Sequence, residues 1–179
     1  MNRIWILGAS GSGKSTLARQ LSQQMDARCI DLDELRWRPN WQITPEAEFI
    51  AALERAMQSP SWVIAGNYSK IQPRFLPLAD TIIWLDYSLP VVFWRQIERI
   101  WRRVVHNEPC CNGNHETIGR TFSRDSVLLW LLRTYNKRRR SGWNTRRRAR
   151  RQGVKVFHFR HPSQCARWLQ TIGKTGSAR

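Results

Sequence analysis

At 179 residues the chain suits a single domain, 1–179, long enough for a central sheet covered on both faces, and 41% hydrophobic content with ten tryptophans supplies a core. No stretch approaches the roughly 18–20 apolar residues of a membrane span, no signal peptide precedes the first strand, and Cys29, Cys110, Cys111 and Cys165 make no disulfide framework, which points to a reducing cytoplasm. The net charge of +17 lies wholly in the second half: residues 1–94 carry 9 Lys/Arg and 9 Asp/Glu, residues 95–151 carry 16 and 4, and residues 152–179 carry 5 and none.

In chain order, Arg3–Leu7 reads as a first strand and Ser15–Gln24 as a helix, with a glycine-rich loop between them. Arg28–Ile30 is a short second strand ending in Asp31-Leu32-Asp33, and residues 34–43, rich in Trp and Pro, read as irregular. Thr44 reads as the N-cap and Pro45 as the first residue of a helix reaching about Met57. Trp62–Ala65 and Thr81–Leu85 are further strands, ending at Gly66-Asn67-Tyr68 and at Asp86. Ser88 and Pro90 open a helix to about Val105, followed by a polar insertion from 106 that gives a lid of about 106–124. Helices near 124–139 and 142–151 follow, unless Gly142 only bends one long helix. Val154–Phe159 is the fifth strand, Pro162–Ile172 the last helix, and 173–179 a frayed tail. Strands alternating with helices predict a doubly wound α/β protein with a five-stranded parallel sheet, whose ligands sit at the carboxyl ends of the strands.

Residues 8–16, GASGSGKST, meet the phosphate-loop pattern G-x-x-x-x-G-K-[ST] at Gly8, Gly13, Lys14 and Ser15. Backbone N–H groups of Gly8, Ala9, Ser10, Gly11, Ser12, Gly13, Lys14, Ser15 and Thr16 are expected to cradle the phosphates of ATP. Lys14 adds a charge near the β and γ phosphates, and the Ser15 hydroxyl is a ligand for Mg²⁺. Asp31 and Asp33, two apart at a strand end, point to one side of the pleat: Asp33 is the expected base toward an acceptor hydroxyl and Asp31 a helper to the metal, with N-capping of the next segment as the alternative. The strand at 62–65 carries Ala65 where a metal-binding acid could stand, and Asp86 reads as structural, pairing with Arg95 or capping the next helix.

Arg95, Arg99, Arg102 and Arg103 share one broad helix face before the insertion, and Arg120 and Arg124 stand after it. That placement suits a lid whose guanidinium groups neutralise phosphate charge, with Arg99 and Arg124 expected to serve catalysis. The runs at 137–140 and 146–151 read as mainly solvated. His106, Cys110, Cys111 and His115 offer soft metal ligands, but adjacent cysteines are poor partners for one tetrahedral zinc.

These motifs have a family resemblance. The phosphate loop, Asp31-Leu32-Asp33-Glu34-Leu35, Trp37-x-Pro39-x-Trp41, Trp62 to Tyr68, Trp84-Leu85-Asp86, Asn112 to Glu116 and Phe122 to Ser126 together resemble the adenylate-kinase-like DNA topology modulation proteins. The resemblance implies a P-loop kinase fold of the nucleotide and shikimate kinase type. It also implies ATP at the loop, a small acceptor near Asp33, Trp37, Trp41, Tyr68 and Arg74, and an arginine-rich lid above them. Related sequences commonly have Asp where this chain has Ala65, which shifts the metal to Ser15 and Asp31. The leading expectation is therefore an ATP-dependent kinase of a small acceptor, a nucleotide or nucleoside among the candidates. The alternatives are a nucleic-acid-associated NTPase or regulator gripping phosphates weakly and non-specifically through the basic half, and a nucleotide-binding protein without catalysis. No motif bears on oligomeric state.

Overall fold

The computed structural model describes residues 1–106, 108–115 and 126–176, with side chains given to 172. Five strands, β1 (Arg3–Gly8), β2 (Arg28–Asp31), β3 (Trp62–Ala65), β4 (Thr81–Leu85) and β5 (Lys155–Phe159), form one sheet in the order β2-β3-β1-β4-β5. All neighbouring pairs are parallel. The central strands β3 and β4 are buried along their whole length, as continuous apolar runs covered on both faces must be. Alternation along β1 divides the core in two: Ile4 and Ile6 join one cluster and Trp5 and Leu7 the other.

The first cluster is roofed by α1 (Lys14–Met25) through Leu17, Ala18 and Leu21 and by α5 (Leu89–Val105) through Val92. It is completed by α7 (Pro162–Gly176) through Cys165 and Trp168. The second cluster takes Phe49 and Leu53 from α3 (Glu46–Ala56) and Phe75 from the short α4 (Gln72–Phe75). A 25-residue helix, α6 (Val127–Arg151), serves both, placing Leu131 and Tyr135 in the first cluster and Ala149 and Trp143 against the second.

Three expectations are corrected here and one choice is decided. Of the two readings of 124–151, the structure has the single long helix, α6, and residues 124 and 125 lie outside the described residues. Gly142 is there because the helix backbone lies on the Trp84 ring, where a Cβ would come within 2.4 Å of it. That ring is held from its other sides, stacked on His158 at 4.3 Å and meeting Trp143 edge-on at 5.3 Å. Residues 34–43 are not wholly irregular, since Asp31 caps a short helix, α2 (Leu32–Arg36), and a 3₁₀ turn covers Pro39–Trp41. Pro45, not Thr44, is the N-cap of α3, with no side-chain cap bond. The last helix continues past Ile172 to Gly176, where a frayed tail was expected.

No described helix is long and apolar enough to cross a membrane. The four cysteines are free thiols.

Candidate active site

The carboxyl ends of β1, β2 and β3 open into a cleft of about 1680 Å³, larger than the roughly 300–1,000 Å³ of a typical single-ligand pocket. Its floor is the glycine-rich loop. Gly11 has φ +77°, and a Cβ there would come within 2.5 Å of the Val92 carbonyl, so the loop is seated directly on α5. Helix α1 begins after Gly13 with no side-chain cap, which leaves its first backbone N–H groups to a ligand, as an anion at a helix N-terminus requires. Lys14 turns back so that Nζ donates to the Ala9 carbonyl at 3.0 Å. Burial lowers its ammonium from 10.5 to about 8; Arg99 and Arg138 push the same way, and Asp33 and Asp31 oppose them.

A clamp absent from the expected site residues holds the start of this loop. Asn67, just past β3, accepts from Gly8 N at 3.1 Å, and its Nδ2 donates to the Gly8 carbonyl. The signal was in the sequence: a polar amide at the end of a strand that pairs with β1.

The acids after β2 sit together for a reason other than the pleat. Asp31 ends the strand and caps α2, accepting from Asp33 N at 3.0 Å, so Asp33 lies on a helix turn. Burial and the Asp33 charge raise the Asp31 carboxyl from its ordinary value, with the nearby Ser15 hydroxyl opposing. Ser15 and Asp31 both line the cleft at the loop; a hydroxyl and a carboxylate are hard oxygen donors of the kind Mg²⁺ uses with phosphates and water, and so fit that ion. Asp33 accepts from the Tyr68 hydroxyl at 2.8 Å. Burial first, and then the Asp33 charge, raise the Tyr68 phenol, which keeps it a donor. Trp37 and Trp41 line the same cleft, edge to face with centroids 5.7 Å apart.

Cations approach from α5 and α6. Arg95 donates to the Ser12 carbonyl at 3.4 Å. Arg99 reaches the Ser10 hydroxyl at 3.4 Å and Gln96 Oε1 at 2.7 Å, and Gln96 itself is fully buried against the loop. Arg102 and Arg103 line the cleft. Arg138 also lines it, donating to the Asn67 carbonyl at 3.4 Å, with Nε buried and without a hydrogen-bond partner among the described residues. Desolvation lowers the Arg138 guanidinium, with the charge of Asp33 opposing. The expectation that the run 137–140 is mainly solvated holds for the exposed Lys137, Arg139 and Arg140 and fails at Arg138, while Arg139 Nε also donates to the buried Asp86 at 2.9 Å. The other Asp86 oxygen faces His158 Nε2 at 3.0 Å, so Asp86 is structural, through these partners and not Arg95.

One further expected residue leaves the site. Arg74 pairs with Glu54 and covers the Phe75 ring at 5.0 Å, away from the cleft. Arg124 lies outside the described residues. Among the described residues no group of three His, Cys, Asp or Glu could hold a metal, so the four soft ligands at 106–115 are not gathered into a centre. Cys110 instead closes a turn with Asn114 through paired backbone hydrogen bonds of 2.7 and 2.8 Å.

No protein-family model matches the chain, and no curated protein matches it by sequence. Among solved structures it is similar to shikimate kinase from Bacteroides thetaiotaomicron, at 16% identity over 97% of each chain with a TM-score of 0.54. The two share a fold, here a five-stranded parallel sheet with helices on both faces. At that identity the likeness extends to the architecture, and the chemistry has to be argued from the residues in the cleft.

Proposed function

We propose that the protein is an ATP-dependent kinase that moves the γ-phosphoryl group to a hydroxyl of a small acceptor. One observation carries this reading. The phosphate loop and the Asp33–Tyr68 pair open into one cleft, and the charges of Asp33, Arg99 and Arg138 all bear on Lys14 at its centre. A nucleotide seated on the loop would face an acceptor seated against Trp37 and Trp41, as in-line transfer requires.

The residues divide the work. Backbone N–H groups of the loop beyond Gly8, whose own N–H is held by Asn67, and the Lys14 ammonium would bind the phosphates. Ser15 and Asp31 would hold Mg²⁺, which when bound neutralises charge on the phosphates. Asp33 accepts the proton of the attacking hydroxyl, and Tyr68 orients the carboxylate. Arg95, Arg99 and Arg138 oppose negative charge as it spreads over the transferring group. The absence of an acid at Ala65 fits this division, because Asp31 occupies the register position beside it, paired across β2 and β3. Trp37-x-Pro39-x-Trp41 and Gly66-Asn67-Tyr68 support placing the chain with the DNA topology modulation proteins, and the flat aromatic walls favour a nucleoside or nucleotide acceptor. Release of ADP from Mg·ATP, screened over nucleosides, nucleotides and sugars, tests the proposal. At least one acceptor should raise ADP release well above hydrolysis by water. A flat response across the panel, with ATP bound, would leave a binding protein without transfer.

The exposed Arg147, Arg148, Arg150 and Arg151 at the end of α6 favour a secondary, non-specific hold on nucleic acid. Affinity for duplex DNA that falls steeply with salt would support it, since phosphate contacts release counterions.

A further inference from the structure

We propose that Asn114, assisted by Asn112, is a positioning residue that holds Trp37 and Trp41 against the cleft. That these tryptophans receive an acceptor rests on the function proposed above.

The segment carrying them is a tight reversal, with Arg38 N donating to the Gln42 carbonyl at 2.8 Å and Thr44 N to the Arg36 carbonyl at 2.9 Å. At its tip Asn40 and Trp41 both take left-handed backbone conformations, φ +60° and +56°. A tryptophan rarely adopts that conformation, and it persists only where surrounding structure over-determines it. The surroundings come from more than 70 residues away in sequence. Asn114 Oδ1 accepts from Trp41 N at 2.7 Å, while its Nδ2 donates to the carbonyls of Arg38 at 2.9 Å and Cys111 at 2.5 Å. The side chain is 3% exposed, and both ends of its amide are engaged with backbone.

Asn112 is the second prong. Its Nδ2 donates to the carbonyls of Glu34 and Trp37, each at 2.6 Å. The turn that presents both amides has three successive left-handed residues, Cys111 at φ +42°, Asn112 at +63° and Gly113 at +77°, and is closed by the Cys110–Asn114 backbone pair. Asparagine suits the task because one short side chain supplies an acceptor for an N–H and donors for carbonyls. Aspartate lacks the donors. Cys111, Asn112 and Gly113 themselves line the cleft beside Trp37 and Trp41, so the clasp ends inside the site.

The test is ¹⁹F NMR on full-length protein labelled with 5-fluorotryptophan, with lines assigned by single Trp→Phe variants. Asn114→Ala should displace the Trp37 and Trp41 lines and leave those of Trp5, Trp62 and Trp84 in the sheet where they are. Asn112→Ala, at an exposed position, should displace the Trp37 line, and Asn144→Ala on the exposed face of α6 should displace neither. Affinity for a non-hydrolysable ATP analogue should be unchanged in the Asn112 and Asn114 variants. Unmoved Trp37 and Trp41 lines in the folded variants overturn the proposal. So does movement of the sheet lines with them, which would mark general structural support, or a parallel loss of analogue binding. Should Asn114→Ala not fold, Asn112→Ala decides alone on the same outcomes. If the wild type does not bind the analogue, the kinase reading fails while the fluorine lines still decide on the clasp.

Discussion

Removing the charge of Lys14 should stabilise the ligand-free protein while abolishing nucleotide binding. The Lys14 ammonium sits at about 8 in the folded chain against 10.5 ordinarily, with burial the main cause. Each unit is about 1.4 kcal/mol, so holding the protonated form in the fold at pH 7 costs roughly 3 kcal/mol. Because the folded value is depressed, the unfolded chain binds more protons between about pH 8 and 10.5, and stability rises with pH across that window. Below pH 8 the whole cost is present. Lys14→Met removes it and also loses the hydrogen bond to the Ala9 carbonyl, worth about 1 kcal/mol. That carbonyl keeps a donor in Ser12 N at 3.2 Å. The net gain at pH 7 is then about 2 kcal/mol. Urea unfolding followed by tryptophan fluorescence, for both proteins at pH 7 and pH 10, measures it, and groups titrating alike in both cancel in the comparison. The advantage of Lys14→Met should shrink toward zero or reverse at pH 10. Saturating Mg·ATP analogue at about 100 times its Kd should add about 2.7 kcal/mol to the wild type and nothing to the variant. A variant less stable than wild type at pH 7, or equally stabilised by nucleotide, would refute the reasoning.

Other expectations follow from the same geometry. Asp33→Asn should leave ATP affinity nearly intact and lower transfer by a factor on the order of 10²–10⁴, the span of a general base, in an ADP-release assay; wild-type transfer would remove Asp33 from that role. Arg138→Gln should lower turnover by a factor on the order of 10²–10³, whereas neutralising Arg147, Arg148 and Arg150 together should spare turnover and weaken only salt-sensitive DNA binding; the reverse pattern would favour the nucleic-acid reading. Gly142→Ala should destabilise the fold by about 1–3 kcal/mol by driving a methyl into the Trp84 ring, and an unchanged urea midpoint would show that the helix shifts freely.

The strand, glycine-rich loop and helix at the start of the chain were legible in the sequence because they are local: all, with Lys14 and Ser15, fall within the first 25 residues. The strands were legible too: β1, β3 and β4 are short apolar runs bounded by polar or turn residues, and the edge strands β2 and β5 mix apolar with polar residues. Asp31 and Asp33 were expected on one side of a pleat, with N-capping as the alternative, and it is the capped helix turn that brings them together. What pairing across distance decides stayed hidden. Arg138 and Arg147 look alike in a basic run, and only the path of α6 over Trp84 and past Asn67 turns one into the cleft and leaves the other in water. Arg74 looked like a site residue and found Glu54 instead. Asn67, Asn112 and Asn114 are ordinary polar residues in turns until the fold sets their amides against backbone groups 59 to 78 residues away. A side chain's own sequence neighbourhood determines which helix or strand it occupies, but an amide or guanidinium acquires its role from the partner it meets, and that meeting is made by the packing of the sheet and its helices.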